Sequence, residues 1–214
     1  MTPFRDRTDA GKHLAKKLSA YAHHPDAIVI APPNGGVAVG AEIARRLGLP
    51  LDIITPRKIP EERRKQWSVG AVTETGTVIW DTAHAKLESG HYLRNAVRLR
   101  AADARRRLAR FRGRGYRRDV KGKTVILVDD GVARGWTLAA AAKTLRAEGA
   151  SRIIIAVPIC SRTGRRLLRR LSDHMLCIHM PPRFRSVGRF YHPDGFNSIS
   201  DDDVRRFLRR SRQP

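Results

Sequence analysis

Two adjacent carboxylates, Asp129 and Asp130, follow the apolar run TVILV and precede GVARGWT, after which the chain becomes apolar and rich in alanine. Like charges side by side repel, and a position at the end of a buried strand makes ionising either costlier. The pair therefore calls for a partner, either a metal or a polyhydroxyl group. The residues behind it supply a second half. Gly131, Val132, Ala133, Arg134, Gly135 and Trp136 lead to Thr137 and a predicted helix, whose free N–H groups and dipole favour an anion beside the Thr137 hydroxyl. Ionised carboxylates only accept hydrogen bonds and a vicinal diol donates two, so an acid pair followed by an anion loop describes a ribose 5-phosphate site. A turn with an aspartate cap is the plainer reading of the same letters.

The elements that must position these residues alternate along the chain. Thr8 reads as the N-cap of a helix with Ala10, Leu14, Leu18 and Tyr21 on one face. A buried strand over 27–31 ends in the turn PPNGG, a helix over 37–47 stops at Gly48, and a strand over 51–55 completes a βαβ unit. Residues 56–76 read as a polar, mobile loop, followed by a short strand over 77–80 and a long amphipathic helix over about 84–111 with an arginine-covered outer face. Strands over 124–128, 153–158 and 175–178 then enclose helices over 137–148 and 163–171, and Ser200 with Asp203 caps a terminal helix. The pattern predicts an α/β fold: a Rossmann-like, mainly parallel sheet with helices on both faces. Ligands in such sheets bind beyond the carboxyl ends of the strands, where both PPNGG and DDGVARGWT fall.

At 214 residues the chain is read as a single domain, 1–214. Its longest apolar stretches, such as IIIAVPI, are too short to span a bilayer, and its first residues carry no apolar leader, so the expectation is no membrane and a cytoplasmic location. Cys160 and Cys177 fall in or beside strand-like runs, the expected place of buried, reduced thiols. The formal net charge of +23 suggests a polyanionic partner, either a nucleic acid or a phosphorylated small molecule. A GC-rich coding sequence would produce the same arginine excess. Aromatics scarcely interleave with the basic block over 94–123, so the stacking signature of single-strand binders is missing there.

The stretch VILVDDGVARGWTLAAAAKTLRAEGA resembles the phosphoribosyl-diphosphate (PRPP) signature of the type I phosphoribosyltransferases. FRDRTDAGKHLAKKL, IVIAPPNGGVAVGAEIARRL, DIITPRKI, SVGAV and VGRFYHPDGFNSISDDDV are similar, in the same order, to a bacterial branch of that family, so the resemblance covers nearly the whole chain. It implies the type I phosphoribosyltransferase fold, with a flexible lid and a small C-terminal hood. It also implies transfer of the 5-phosphoribosyl group from PRPP to a nitrogenous, nucleobase-like acceptor with release of pyrophosphate.

By that resemblance Asp129 and Asp130 hold the ribose hydroxyls, and the amides from Gly131 to Gly135 with Thr137 hold the 5-phosphate. Pro33, Asn34, Gly35 and Gly36 form the diphosphate loop, with Arg57 and Lys58 adding positive charge. A lid runs from Glu61 to about Val72 within the flexible loop and basic helix of 57–120. The hood lies within 180–214, where Phe184, Val187 and Tyr191, together with Phe190 and Phe196, are candidates to stack on the acceptor. Mg²⁺ arrives with the diphosphate and has no direct protein ligand other than, at most, Asp129 and Asp130. A homodimer is the usual assembly of such proteins.

Three residues depart from the family pattern. Arg134 stands where the loop usually has threonine, Trp136 where it has a small residue, and Asn34 where the diphosphate loop commonly has a basic one. Arg134 is expected to replace the lost hydroxyl by pairing with the phosphate itself. The rival expectation keeps the fold, loses catalysis through these three positions, and assigns the arginine-rich faces to RNA or another acidic partner.

Overall fold

The computed structural model describes residues 3–210. The chain opens with α1 (Arg7–Lys17), β1 (Ala27–Ala31), α2 (Gly35–Leu47) and β2 (Leu51–Ile53). An insertion follows, made of β3 (Arg57–Pro60), β4 (Ser68–Val72), β5 (Val78–Trp80), α3 (Thr82–Ala85) and α4 (Gly90–Arg112). The second half supplies β6 (Thr124–Val128), α5 (Trp136–Ala147), β7 (Arg152–Ile159), α6 (Arg162–Leu168), β8 (His174–His179) and α7 (Asp201–Arg210).

Five strands form one parallel sheet in the order β2-β1-β6-β7-β8. Period-two alternation divides their side chains between two cores. Val29, Ile126 and Ile154 pack towards α1, α2 and α7, while Ile30, Leu127 and Ile155 pack towards α5 and α6. Because β2 lies on one side of β1 and β6 on the other, the order reverses between β1 and β6. A crevice therefore opens past their carboxyl ends, where an α/β sheet accepts a ligand. The loop after β1 is PPNGG and the loop after β6 begins DDG.

The local signals mostly act where their chemistry says they should. Gly48 closes α2 at φ 62°, and Ser200 and Asp203 cap each other at the start of α7. α1 begins one residue before Thr8, because the Asp6 carboxylate, not the Thr8 hydroxyl, accepts from the Asp9 amide at 2.7 Å. The helix expected over 84–111 is two helices, the second started afresh by the Ser89 side chain accepting from the Tyr92 amide. Its outer face carries exposed Arg94, Arg98, Arg105 and Arg106. Cys160 is buried, Cys177 partly so, and both are free thiols. No described helix is long and apolar enough to cross a membrane.

The largest difference from expectation is at 56–76. In place of a loop the structure has β3 and β4, which join β5, the short strand expected over 77–80, in a three-stranded antiparallel sheet β3-β4-β5, with Ile59, Val69 and Val72 buried beside Ala96 and Ala101 of α4. The strands are only three to five residues long and rely on small residues. At Gly70 an added Cβ would lie 2.2 Å from the Ile79 carbonyl oxygen, so close strand approach does the work that apolar bulk does elsewhere. Within the expected lid, Glu61 to about Val72, residues 61–67 form the connector between β3 and β4, closed at its base by the Glu61 amide donating to the Trp67 carbonyl at 3.1 Å.

Candidate active site

A cleft of about 820 Å³ lies over the β1/β6 switch point, within the usual range of small-molecule sites. Three segments meet there: Pro33 and Gly35 after β1, Arg57 and Lys58 on β3, and the entire run from Asp129 to Thr137 after β6. The hood contributes Val187, whose Cγ1 would be 2.6 Å from a Cβ added at Gly131, so Gly131 must remain glycine for hood and loop to meet. Gly135 at φ 86° is the second position that requires glycine, and it delivers the chain into α5.

The acid pair lies against the start of α2. A Cβ on Gly35 would fall 1.9 Å from Asp130 Oδ2, and one on Gly36 2.8 Å from Asp129 Oδ1. The two expected loops therefore touch each other through these carboxylates. Burial pushes the Asp129 carboxyl well above the usual carboxylate range, and the neighbouring Asp130 charge adds to it, opposed in part by Lys58. Burial raises Asp130 as well, with Arg7 pulling the other way. Arg7 Nε donates to Asp130 Oδ2 at 2.8 Å, and Arg7 Nη1 donates to the Asn197 carbonyl at 2.6 Å.

Several expected residues are placed differently. Asn34 begins α2 at φ 73°, a conformation costly for a residue with a side chain, on the order of 1–3 kcal/mol. Its side chain is turned to the Ile199 carbonyl, at 2.6 Å, and to Arg107, so it lies outside the cleft lining; its contribution to a diphosphate loop is backbone. Gly36 also lies outside the lining, beneath Asp129. The Val132 amide is committed to the Ile159 carbonyl at 2.8 Å, which removes it from the set that could hold a phosphate.

Tyr191 is 1% exposed, stacks on Phe196 with ring centroids 4.8 Å apart, and donates from its hydroxyl to the Asp130 carbonyl at 2.7 Å. Phe184 stacks on Phe190 inside the same apolar cluster. Neither lines the cleft, nor do Phe190 and Phe196, so of the five hood candidates Val187 alone does. These rings point inward because residues 4–6 lie across them: Phe4 bridges to Tyr191, and the Gly195 Cα faces the Arg5 carbonyl closely enough that a Cβ would be 1.8 Å away.

Arg134 reaches across the cleft mouth. Its guanidinium lies 4.9 Å over the Trp67 ring and 3.5 Å from Asp81 Oδ2, so its contacts are with the connector and with the end of β5. Trp67, Lys65 and Arg100 also line the cleft, and carried no signal at the sequence level beyond membership of a polar segment and a basic helix. Arg7 was missed for a different reason: it is 123 residues from its partner and reads as an ordinary first-turn residue.

The parallel sheet, its switch-point cleft and the acid-and-glycine loop within it define the class: the chain belongs to the phosphoribosyl transferase domain family, whose model matches residues 5–191. Its fold is the type I phosphoribosyltransferase fold. Among individual proteins, it is 34% identical over 213 residues to a protein of Mycobacterium tuberculosis, strains CDC 1551 and H37Rv, that carries the provisional name phosphoribosyl transferase. That match takes in 99% of this chain and 47% of the relative, so the chain spans about half the length of the curated relatives it matches. The crystal structure of TT1426 from Thermus thermophilus is similar at a TM-score of 0.74 and 32% identity, covering 96% of this chain and 97% of that one.

Proposed function

We propose that this protein transfers the 5-phosphoribosyl group of PRPP to a nitrogenous, nucleobase-like acceptor and releases pyrophosphate. The observation that carries the reading is the meeting of the two loops: Asp129 and Asp130, the start of α2 and the loop into α5 line one cleft at the switch point. An acid pair facing a diol, with an anion-binding helix start on either side, suits a sugar that is phosphorylated at both ends.

In the reaction the bond from the anomeric carbon to the diphosphate oxygen breaks, and the pair goes to the leaving group. The acceptor nitrogen supplies the pair for the new bond and gives its proton, where it has one, to solvent. The sugar passes through a cation-like state, so the protein's tasks are to hold both ends of it, stabilise the departing charge and keep water away. Asp129 and Asp130 orient the hydroxyls. The amides of the Gly131–Gly135 turn other than that of Val132, with the Thr137 hydroxyl, hold the 5-phosphate. Gly35, Lys58, Lys65 and Arg100 face the diphosphate, and the 61–67 connector with Val187 of the hood covers the site.

The oxygen-only donors of the acid pair fit a hard divalent ion; magnesium would be held through diphosphate oxygens beside Asp129 and Asp130, and would supply charge neutralisation of the leaving group. With Arg134 engaged by Trp67 and Asp81, the 5-phosphate falls to backbone and Thr137. The test is magnesium-dependent pyrophosphate release from PRPP across a panel of purine and pyrimidine bases. The reading predicts one or a few bases that raise release at least about tenfold over PRPP alone. No stimulation by any base, in a protein that also fails to bind PRPP, would overturn it.

A further inference from the structure

We infer that Arg7 is a positioning residue of the active site: it pairs with and orients Asp130, so that the acid pair meets an anionic substrate with one negative charge compensated. The inference rests on the functional reading above and deepens it. The contact is built rather than incidental. Arg7 and Asp130 side chains are only 11% and 16% exposed, and the Nε–Oδ2 distance is 2.8 Å. The guanidinium is fixed on its other sides as well, by the Asn197 carbonyl at 2.6 Å and by the face of Phe196, with Cζ 4.0 Å from the ring centroid.

Its location gives this contact a functional direction. Arg7 opens α1, Asn197 and Phe196 belong to the hood, and Asp130 belongs to the ribose loop. The Gly35 Cα stands close enough that a Cβ there would be 2.9 Å from Arg7 Nε. One side chain thus joins the diphosphate loop, the acid pair and the hood. Asp130 Oδ2 is committed to Arg7 and Asp129 Oδ1 accepts from the Asp130 amide at 2.9 Å, which leaves Asp130 Oδ1 and Asp129 Oδ2 to accept from a ligand. Without Arg7, the acid pair would confront a substrate carrying phosphate at one end and diphosphate at the other with no cation paired to it, and Asp130 would be free to rotate away from the diol. Planar guanidinium geometry suits this task, since it sets direction as well as charge.

The test is a double-mutant cycle on PRPP affinity, measured by titration calorimetry with Mg²⁺ on wild type, Arg7→Met, Asp130→Asn and the combined variant, each first shown by circular dichroism to be folded at the titration temperature. If Arg7 acts through Asp130, Arg7→Met weakens PRPP binding by about tenfold or more in the wild-type background and by less than about threefold in the Asp130→Asn background. An equal loss in both backgrounds, or no loss in either, overturns the inference while leaving the functional reading intact. Absence of PRPP binding by the wild type overturns the functional reading and this inference with it. Should Arg7→Met not fold, Arg7→Lys takes its place in the same cycle; it keeps the charge without the planar fork, and the same non-additivity is expected on a smaller scale.

Discussion

Gly35→Ala is expected to remove PRPP binding almost completely while leaving the fold in place. The new methyl would lie 1.9 Å from Asp130 Oδ2 and 2.5 Å from its Cγ, distances that no rotation of the methyl relieves. Either the carboxylate swings away and breaks its contact with Arg7, or α2 backs off from the cleft. Both outcomes separate the two loops whose meeting forms the site. Overpacking of this kind costs about 1–3 kcal/mol in stability, tolerable for most domains, whereas a misplaced reacting group costs about a hundredfold in function. Calorimetric titration with PRPP and Mg²⁺ should show at least about a hundredfold weaker binding. Gly90→Ala is the control: it begins α4, its nearest neighbour is the flexible end of Arg94 at 3.3 Å, and it should bind as wild type does. Gly35→Ala binding within about threefold of wild type would mean that the loops are not coupled as described.

Arg118→Met is expected to produce the largest loss of stability. The Arg118 side chain is 3% exposed and joins three elements: Nη1 lies 2.5 Å from Glu74 Oε1, Nη2 lies 2.6 Å from Glu148 Oε1, and Nη1 donates to the Ile53 carbonyl at 3.2 Å. Burial works against the guanidinium charge, but Glu74 and Glu148 outweigh it and hold the group charged above its ordinary range. Glu74, only 4% exposed, also accepts from the Thr55 amide and hydroxyl at 3.1 and 2.9 Å. Removing the arginine strands a buried carboxylate, at a cost of about 3–5 kcal/mol. For a chain of this size that lowers Tm by about 10 °C. Adding Glu74→Gln should recover much of the loss, since the stranded charge, not the missing attraction, is what destabilises. A Tm within about 2 °C of wild type for Arg118→Met alone would contradict the account. The functional consequence follows from location: Glu74 follows β4, so this cluster fixes the base of the small sheet that carries Arg57, Lys58 and the 61–67 connector.

The parts of the molecule that were legible in the sequence share a physical reason. β1 and β6 are short runs of buried β-branched and aliphatic residues, each ended by a turn that no strand could continue, PPNGG or DDG, so both the strands and their functional ends could be read from neighbours in sequence. The acid pair was visible because its oddity is local: two carboxylates at the end of an apolar run. β3 and β4 of the small sheet were not, because they are only four and five residues long, begin at the polar Arg57 and Ser68, and are stabilised by close approach at Gly70 and by packing on α4. Arg7 was not legible either, since a pairing across 123 residues leaves no pattern in either segment. The hood aromatics show the same limit from the other side. Their composition announces an apolar cluster, but only the strap of residues 4–6 decides that Tyr191 and Phe184 face inward and Val187 faces the cleft.

The central claim, that the acid pair and its loops form a PRPP site, is tested most directly by thermal unfolding with and without PRPP and Mg²⁺, on wild type and on Asp129→Asn/Asp130→Asn. At about a hundred times its Kd the ligand should add about 2.7 kcal/mol, a rise in Tm of about 5–10 °C. The account predicts that rise for wild type and none for the double variant. No rise in wild type at saturating ligand, or an equal rise in both proteins, would contradict it.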